Sequence, residues 1–226
     1  MTDQPPEDAA PEHAPPTRAA PPSQGEFASR LASRLTHDFA NPASMIITGL
    51  DLMEDESMAE EGLDLVKVAA KKLLEVVEYV RGAYGGSAAE PAESSVVEAL
   101  VKRLFEGVRP EVDWAVEPQT FSRPATRIIL NLAELGAGSL PMGGVARITT
   151  KAENGWYAIR LEGTGKRIML HDQVAAGLRG EPTPTEPAAR WAQAYYLYIQ
   201  AKEAGGAVTV DVSEDKIVYT AAFRQA

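Results

Sequence analysis

The sequence predicts an α+β fold in two parts, an N-terminal antiparallel helical hairpin and a C-terminal α/β sandwich. Three observations carry this. Apolar residues recur at helical spacing from Glu26 to Tyr84, broken by the acidic turn Asp55-Glu56-Ser57. After a linker rich in Ala, Glu and Ser, runs that alternate apolar and polar residues are interleaved with shorter helical stretches. At 226 residues and 45% hydrophobic composition the chain is long enough for one or two proper cores.

The elements follow in order. Residues 1–24 hold seven prolines and almost no large apolar side chain, so they cannot offset their ordering entropy and read as a disordered Pro-rich tail. Residues 26–86 form the hairpin. Its first helix runs to about Glu54, with Pro42 removing one backbone donor and kinking it one turn after His37. Its second runs from about Met58 to Tyr84 and ends at Gly85-Gly86-Ser87. There Leu63, Val66, Ala70, Leu73, Val77 and Val80 alternate spacings of three and four, a heptad seam. A lone hairpin leaves half of that stripe wet, so two copies are expected to pair as a dimeric four-helix bundle.

Residues 93–226 make the second domain. Helices are expected at Val96–Phe105, from Pro124 to Leu135, and from Pro187 to Ala204 with Gly205-Gly206 capping the last. Strands are expected at Asp113–Val116, Ala146–Thr150, Trp156–Leu161, Val208–Val212 and Lys216–Phe223. Pro182-Thr183-Pro184-Thr185 reads as a loop. Helices then cover one face of a mixed sheet.

Composition narrows the chemistry. With 22 basic against 32 acidic residues the net charge is −10, which argues against a nucleic-acid backbone or an anionic membrane as the main ligand. The absence of cysteine removes disulfides, thiol catalysis and cysteine zinc sites. Three histidines, His13, His37 and His171, are too few for a multi-histidine metal cluster. No run approaches the ~20 apolar residues that span a bilayer and no apolar signal segment opens the chain, so cytoplasmic residence is expected.

His37 stands out. On a helical wheel Phe27, Leu31, Leu35, Phe39, Ile46 and Met53 share one apolar arc, and His37 falls roughly 200° from its centre. Arg30, Arg34, Asn41, Ser44, Thr48 and Asp51 share its side. A histidine so presented is placed to react with a partner. His171 reads as a structural histidine beside a loop, and His13 belongs to the tail. Met45, Ile46 and Leu50 read as core before docking surface.

The run His37-Asp38-Phe39-Ala40-Asn41-Pro42 resembles the phosphoacceptor box of bacterial histidine kinases, which lies on the first helix of a dimerisation hairpin. The second domain resembles the kinase ATPase, the Bergerat fold, with its chemistry removed. Leu130-Asn131-Leu132 through Pro141-Met142-Gly143-Gly144 matches the asparagine box in length and closing glycines, but Leu135 stands where the magnesium-coordinating asparagine belongs. Gly163 replaces the adenine-reading aspartate and Arg167 a glycine of the next box. Ala189, Trp191 and Gln193 replace glycines of the last. A kinase-like hairpin on a degenerate Bergerat sandwich is similar to the ChpT family of bacterial histidine phosphotransferases.

That resemblance implies a cell-cycle phosphorelay in which His37 takes a phosphoryl group from the receiver domain of a hybrid kinase and passes it to response-regulator receivers. It implies no ATP and no cofactor of the chain's own, with magnesium and a lysine supplied by the receiver. In such a site Asp38 accepts a hydrogen bond from the second ring nitrogen or pairs with Arg34 at i−4. Asn41 orients phosphate oxygens or is ordinary surface. Arg30 and Arg34 meet an acidic receiver pocket or remain a solvated face, and Ser44, Thr48 and Asp51 are rim contacts. A working kinase lacks its boxes here, and a non-catalytic dimeric adaptor is the alternative.

Overall fold

The computed structural model describes residues 22–85, 91–182 and 188–224. The Pro-rich tail up to residue 21, with His13, lies outside the described residues. So do Gly86 and Ser87 of the hairpin terminus and residues 183–187 of the Pro/Thr loop.

Helix α1 spans Gln24–Leu52 and opens on Ser23, whose hydroxyl accepts the Glu26 amide at 3.1 Å. One first-turn donor is thereby satisfied. The helix is continuous through Pro42, which is buried. A short turn at Glu56–Met58, capped by the Asp55 carboxylate on the Ser57 amide, leads to α2, Ala59–Tyr84. The two helices meet at a glycine pair. A Cβ on Gly62 would lie 2.6 Å from the Gly49 carbonyl oxygen, and one on Gly49 would lie 2.8 Å from the Gly62 oxygen.

The hairpin therefore closes on small residues, with Gly49, Gly62 and Ala69 buried. Of the heptad seam read from α2, Val66, Leu73, Val77 and Val80 are half-buried, and Val66 lies against Gly49. Leu63 and Ala70 are exposed, as are Leu74 on α2 and Ile47 and Leu50 on α1. These exposed side chains leave an apolar stripe on the outside of the hairpin.

The second part is built on a five-stranded mixed sheet. Its strands are β2 (Glu111–Trp114), β4 (Val145–Glu153), β5 (Trp156–Thr164), β6 (Ala207–Val212) and β7 (Lys216–Arg224), in the order β2-β4-β5-β7-β6. β2 runs parallel to β4, and every other pair is antiparallel. A two-stranded ribbon of β1 (Ala92–Glu93) and β3 (Thr120–Phe121), which the sequence did not announce, closes one end.

Alternation decides which face is covered. Tyr157, Ile159 and Leu161 of β5 and Ile217, Tyr219, Ala221 and Phe223 of β7 are buried, while Arg160 and Arg224 point outward. On the inner face lies α4 (Arg123–Gly138), with Pro124 in its first turn. It sits so close that a Cβ on Gly136 would be 2.5 Å from Leu161. Helix α3 (Ser94–Glu106), the unforeseen α5 (Asp172–Leu178) and α6 (Ala189–Glu203) complete the layer. The turn into β4 needs its glycines: Gly143 and Gly144 have φ of 85° and 133°, and a side chain on Gly144 would collide with the Thr164 carbonyl.

Tyr219 is fully buried and bonded to the Ser139 hydroxyl at 2.8 Å. Burial pushes its pKa up to about 12, the Ser139 bond offsetting part of the rise. Burial likewise raises Tyr79 and Tyr84 well above the ordinary tyrosine value.

Two outcomes are expected. Gly62→Ala must spread the helix crossing and should destabilise the hairpin by about 1–3 kcal/mol, read from chemical denaturation of the purified protein. The buried tyrosines contribute stability that is whole below pH ~10, their unfolded value, and is lost as pH rises through the folded values. Absorbance at the tyrosinate band should therefore lag free tyrosine and then rise together with alkaline unfolding.

Candidate functional site

α1 carries His37 with its side chain 88% exposed. The ring stands at the mouth of a cleft of about 270 Å³ between the hairpin and the second domain. Val76, Tyr79 and Val80 of α2 and Leu100 and Leu104 of α3 make its apolar wall. Lys72, Glu75, Arg103 and Glu134 supply charge around it, and Asp38 and Asn41 share the rim with His37. Arg103 is held by Glu78, and Lys72 lies 3.4 Å from Glu75.

Asp38 sits between two cations or potential cations. Its carboxylate is 3.9 Å from His37 Nδ1 and 3.7 Å from the Arg34 guanidinium. The first distance is beyond a hydrogen bond, so the influence of Asp38 on the imidazole in this conformation is electrostatic. Of the two alternatives read from the sequence for Asp38, the structure shows the pairing with Arg34 and not the hydrogen bond to His37.

Asn41 is exposed one turn on from His37, as are Ser44, Thr48 and Asp51 further along α1. The Thr48 hydroxyl donates to the Ser44 carbonyl at 3.1 Å, so it is used within the helix. Thr48 and Asp51 lie beyond the residues that line the cleft.

The arginines are placed differently from the solvated face the wheel suggested. Arg34 is turned into the protein, its side chain only 10% exposed, and is bonded to Glu134 of α4 and, at 2.6 Å, to the side-chain oxygen of Gln193 on α6. It is therefore committed within the chain and not presented to a partner. The reason is that α1 leans on the second domain along its N-terminal half. Burial opposes the charge on Arg34, but Glu134 more than compensates and holds the guanidinium protonated. Burial raises the Glu134 carboxyl against the pull of Arg34.

Arg30 pairs with Glu26 at 2.8 Å and lies 5.4 Å over the Trp191 ring. Trp191 is fully buried, stacked on Tyr195 at 4.7 Å and met edge-on by Phe27. Its indole N–H donates to the Glu181 carbonyl at 2.7 Å.

At the far end of the hairpin the Tyr79 hydroxyl donates to the Leu130 carbonyl at 2.6 Å, and Asn131 reaches the Ala83 carbonyl at 3.4 Å. The residues that the resemblance set against kinase nucleotide-binding positions are engaged as follows. Leu135 is in the core, Gly163 is paired with Ala146 inside the sheet, and Trp191 and Gln193 face α1. His171 precedes α5, and burial lowers its pKa, helped by Arg190. Among the described residues no group of three or more His, Asp or Glu side chains is placed to hold a metal, and no helix is long and apolar enough to cross a membrane.

Glu134 and Tyr79 were not singled out from sequence, Gln193 was read only as a replaced glycine, and Val80 of the cleft only as part of the α2 seam. One signal for Glu134 was present: a carboxylate inside Leu130-Asn131-Leu132-Ala133-Glu134-Leu135, a stretch otherwise destined for the core, requires a cation.

The profile of the histidine phosphotransferase C-terminal domain matches residues 95–216, more than half of the chain. The chain belongs to that family. It is 25% identical over 201 residues to the protein phosphotransferase ChpT of Brucella abortus (strain 2308), covering 87% of this chain and 95% of that one. A solved structure of a bacterial phosphotransferase superposes with a TM-score of 0.78 at 20% identity, covering 90% of this chain and 99% of the other. The latter likeness extends the shared fold across both the hairpin and the sandwich. Membership of this family makes phosphotransfer in two-component signalling the activity class.

Proposed function

We propose that the chain is a homodimeric histidine phosphotransferase that relays a phosphoryl group through His37. The group is taken from the receiver domain of a hybrid histidine kinase and delivered to receivers of response regulators. The observation that carries this is the exposed His37 imidazole at the rim of a cleft walled by both domains, with Asp38 beside it.

In the forward step a lone pair on one imidazole nitrogen attacks phosphorus of the receiver's aspartyl phosphate. A P–N bond forms, the acyl P–O bond breaks, and the receiver carboxylate leaves with that electron pair. The proton on the other nitrogen leaves the phosphorylated ring positive, and Asp38 is close enough to favour that charge. Transition states of this kind ask chiefly for alignment and charge neutralisation, so a receiver that brings magnesium and a lysine leaves this chain to supply the nucleophile and its placement. The reverse step regenerates the imidazole.

A role without ATP is supported by three side chains. Trp191 fills, as a buried indole, a position where a phosphate-binding loop needs glycine. Gln193 is engaged with Arg34, and Leu135 is in the core. Dimerisation is supported by the outer stripe of the hairpin, where Ile47, Leu50, Leu63 and Leu74 are between 42% and 58% exposed.

Incubation with a phosphorylated receiver should place acid-labile, base-stable phosphate on the wild type and none on His37→Ala, while ATP with magnesium labels neither. Label from ATP would make the chain a kinase. Absence of label from the receiver, with retained binding, would make it an adaptor. Sedimentation of the wild type should give a dimer and of Leu50→Glu/Leu63→Glu a monomer; a monomeric wild type at micromolar concentration would remove the bundle.

A further inference from the structure

Three side chains from three helices close a ring one turn before His37. The Arg34 guanidinium of α1 donates to a Glu134 carboxylate oxygen of α4 and to the Gln193 side-chain oxygen of α6, and the Gln193 amide nitrogen donates to the other Glu134 oxygen at 2.8 Å. The ring is flanked on α1 by Phe27 and Arg30 against Trp191. It therefore spans both domains and stands next to the reactive histidine. Such a buried ion pair adds little net stability, since desolvation cancels most of the attraction, but it fixes one arrangement because any other strands a charge.

Two observations favour a fixed seat over a passing contact. Gln193 and Trp191 stand where the kinase resemblance calls for glycines, so the face of α6 that would have met a nucleotide meets α1. Asp38, which lies 3.7 Å from the same guanidinium, is the neighbour of the phosphoacceptor, so the ring and the reactive group share an electrostatic environment.

We infer that Arg34, Glu134 and Gln193 act as positioning residues for phosphoryl transfer, locking the second domain at one angle to the hairpin so that a receiver meets a single rigid surface spanning both. This rests on the relay reading above. A receiver bound to a swinging domain would give up the second half of its contact surface, weakening docking more than chemistry.

Because the chain has no cysteine, labels can be introduced without background. Spin labels at Lys67→Cys on α2 and Lys151→Cys on β4, both on exposed side chains, report the angle between the domains, with unlabelled chain in excess to isolate distances within one protomer. The wild type should give one narrow distance distribution. Glu134→Gln should broaden it and raise the receiver concentration for half-maximal transfer roughly tenfold, with the rate at saturation changed less than about twofold.

The swapped pair Arg34→Glu/Glu134→Arg should recover the narrow distribution, since the Gln193 amide presents a donor and an acceptor and serves either polarity when turned over. Arg34→Met/Glu134→Leu keeps the volume apolar and folded, and should show the broad distribution without loss of stability. A narrow distribution and unchanged half-saturation in Glu134→Gln would overturn the inference, as would a fall in the saturated rate alone. The distance measurement stands apart from transfer. A wild type that accepts no phosphate would defeat the relay reading, and the width in Glu134→Gln would still decide for or against the lock.

Discussion

The packing of the first half of α1 on α6 is the contact on which the rest of the molecule depends. Phe27 and Trp191 meet edge-on, Trp191 stacks on Tyr195, and Arg30 covers the indole from the solvent side. One helix thereby belongs to two packing systems: its N-terminal half closes on the sandwich and its C-terminal half crosses α2 at Gly49 and Gly62. His37 lies between the two halves. It can be nearly as exposed as a free side chain while its backbone is held from both ends, which is what an attacking group needs if the loss of motional freedom is to be met before the partner arrives.

The cleft beside it has the same origin. α2 and α3 approach α1 without filling the space next to His37, because Tyr79 and Tyr84 are drawn toward the second domain, Tyr79 by its bond to the Leu130 carbonyl. Charge at the rim is largely paired within the chain, Arg103 with Glu78 and Arg34 with Glu134. The side chain left facing outward with nucleophilic capacity is the imidazole.

Much of this was legible in the sequence where periodicity was strong. The two long helices, the Asp55 turn, the four long strands and the helices beginning near Val96 and Pro124 follow from spacing and punctuation, and each is found within a few residues. The ribbon at Ala92 and Thr120 and the seven-residue α5 were not, since elements so short carry no periodic signal. Val66, Leu73, Val77 and Val80 of the seam on α2 are half-buried, but a wheel is blind to the close approach that Gly49 and Gly62 permit. The same blindness applied to Arg34. A wheel ranks charge as solvent-facing, and its partners lie 100 and 159 residues away in sequence, beyond any local pattern.

Pro42 brings one further consequence. Lacking an amide hydrogen, it leaves the carbonyl of Asp38, four residues earlier, without its helical donor. The missing rung starts one residue after His37. Backbone support in a helix is carried by such rungs, so the ladder has a gap within a turn of His37, between a half packed on α6 and a half crossed with α2. The buried proline ring restricts its own φ and limits how far that gap loosens the helix. On the relay proposed above, the group that must shift as one bond lengthens and another forms stands beside that gap.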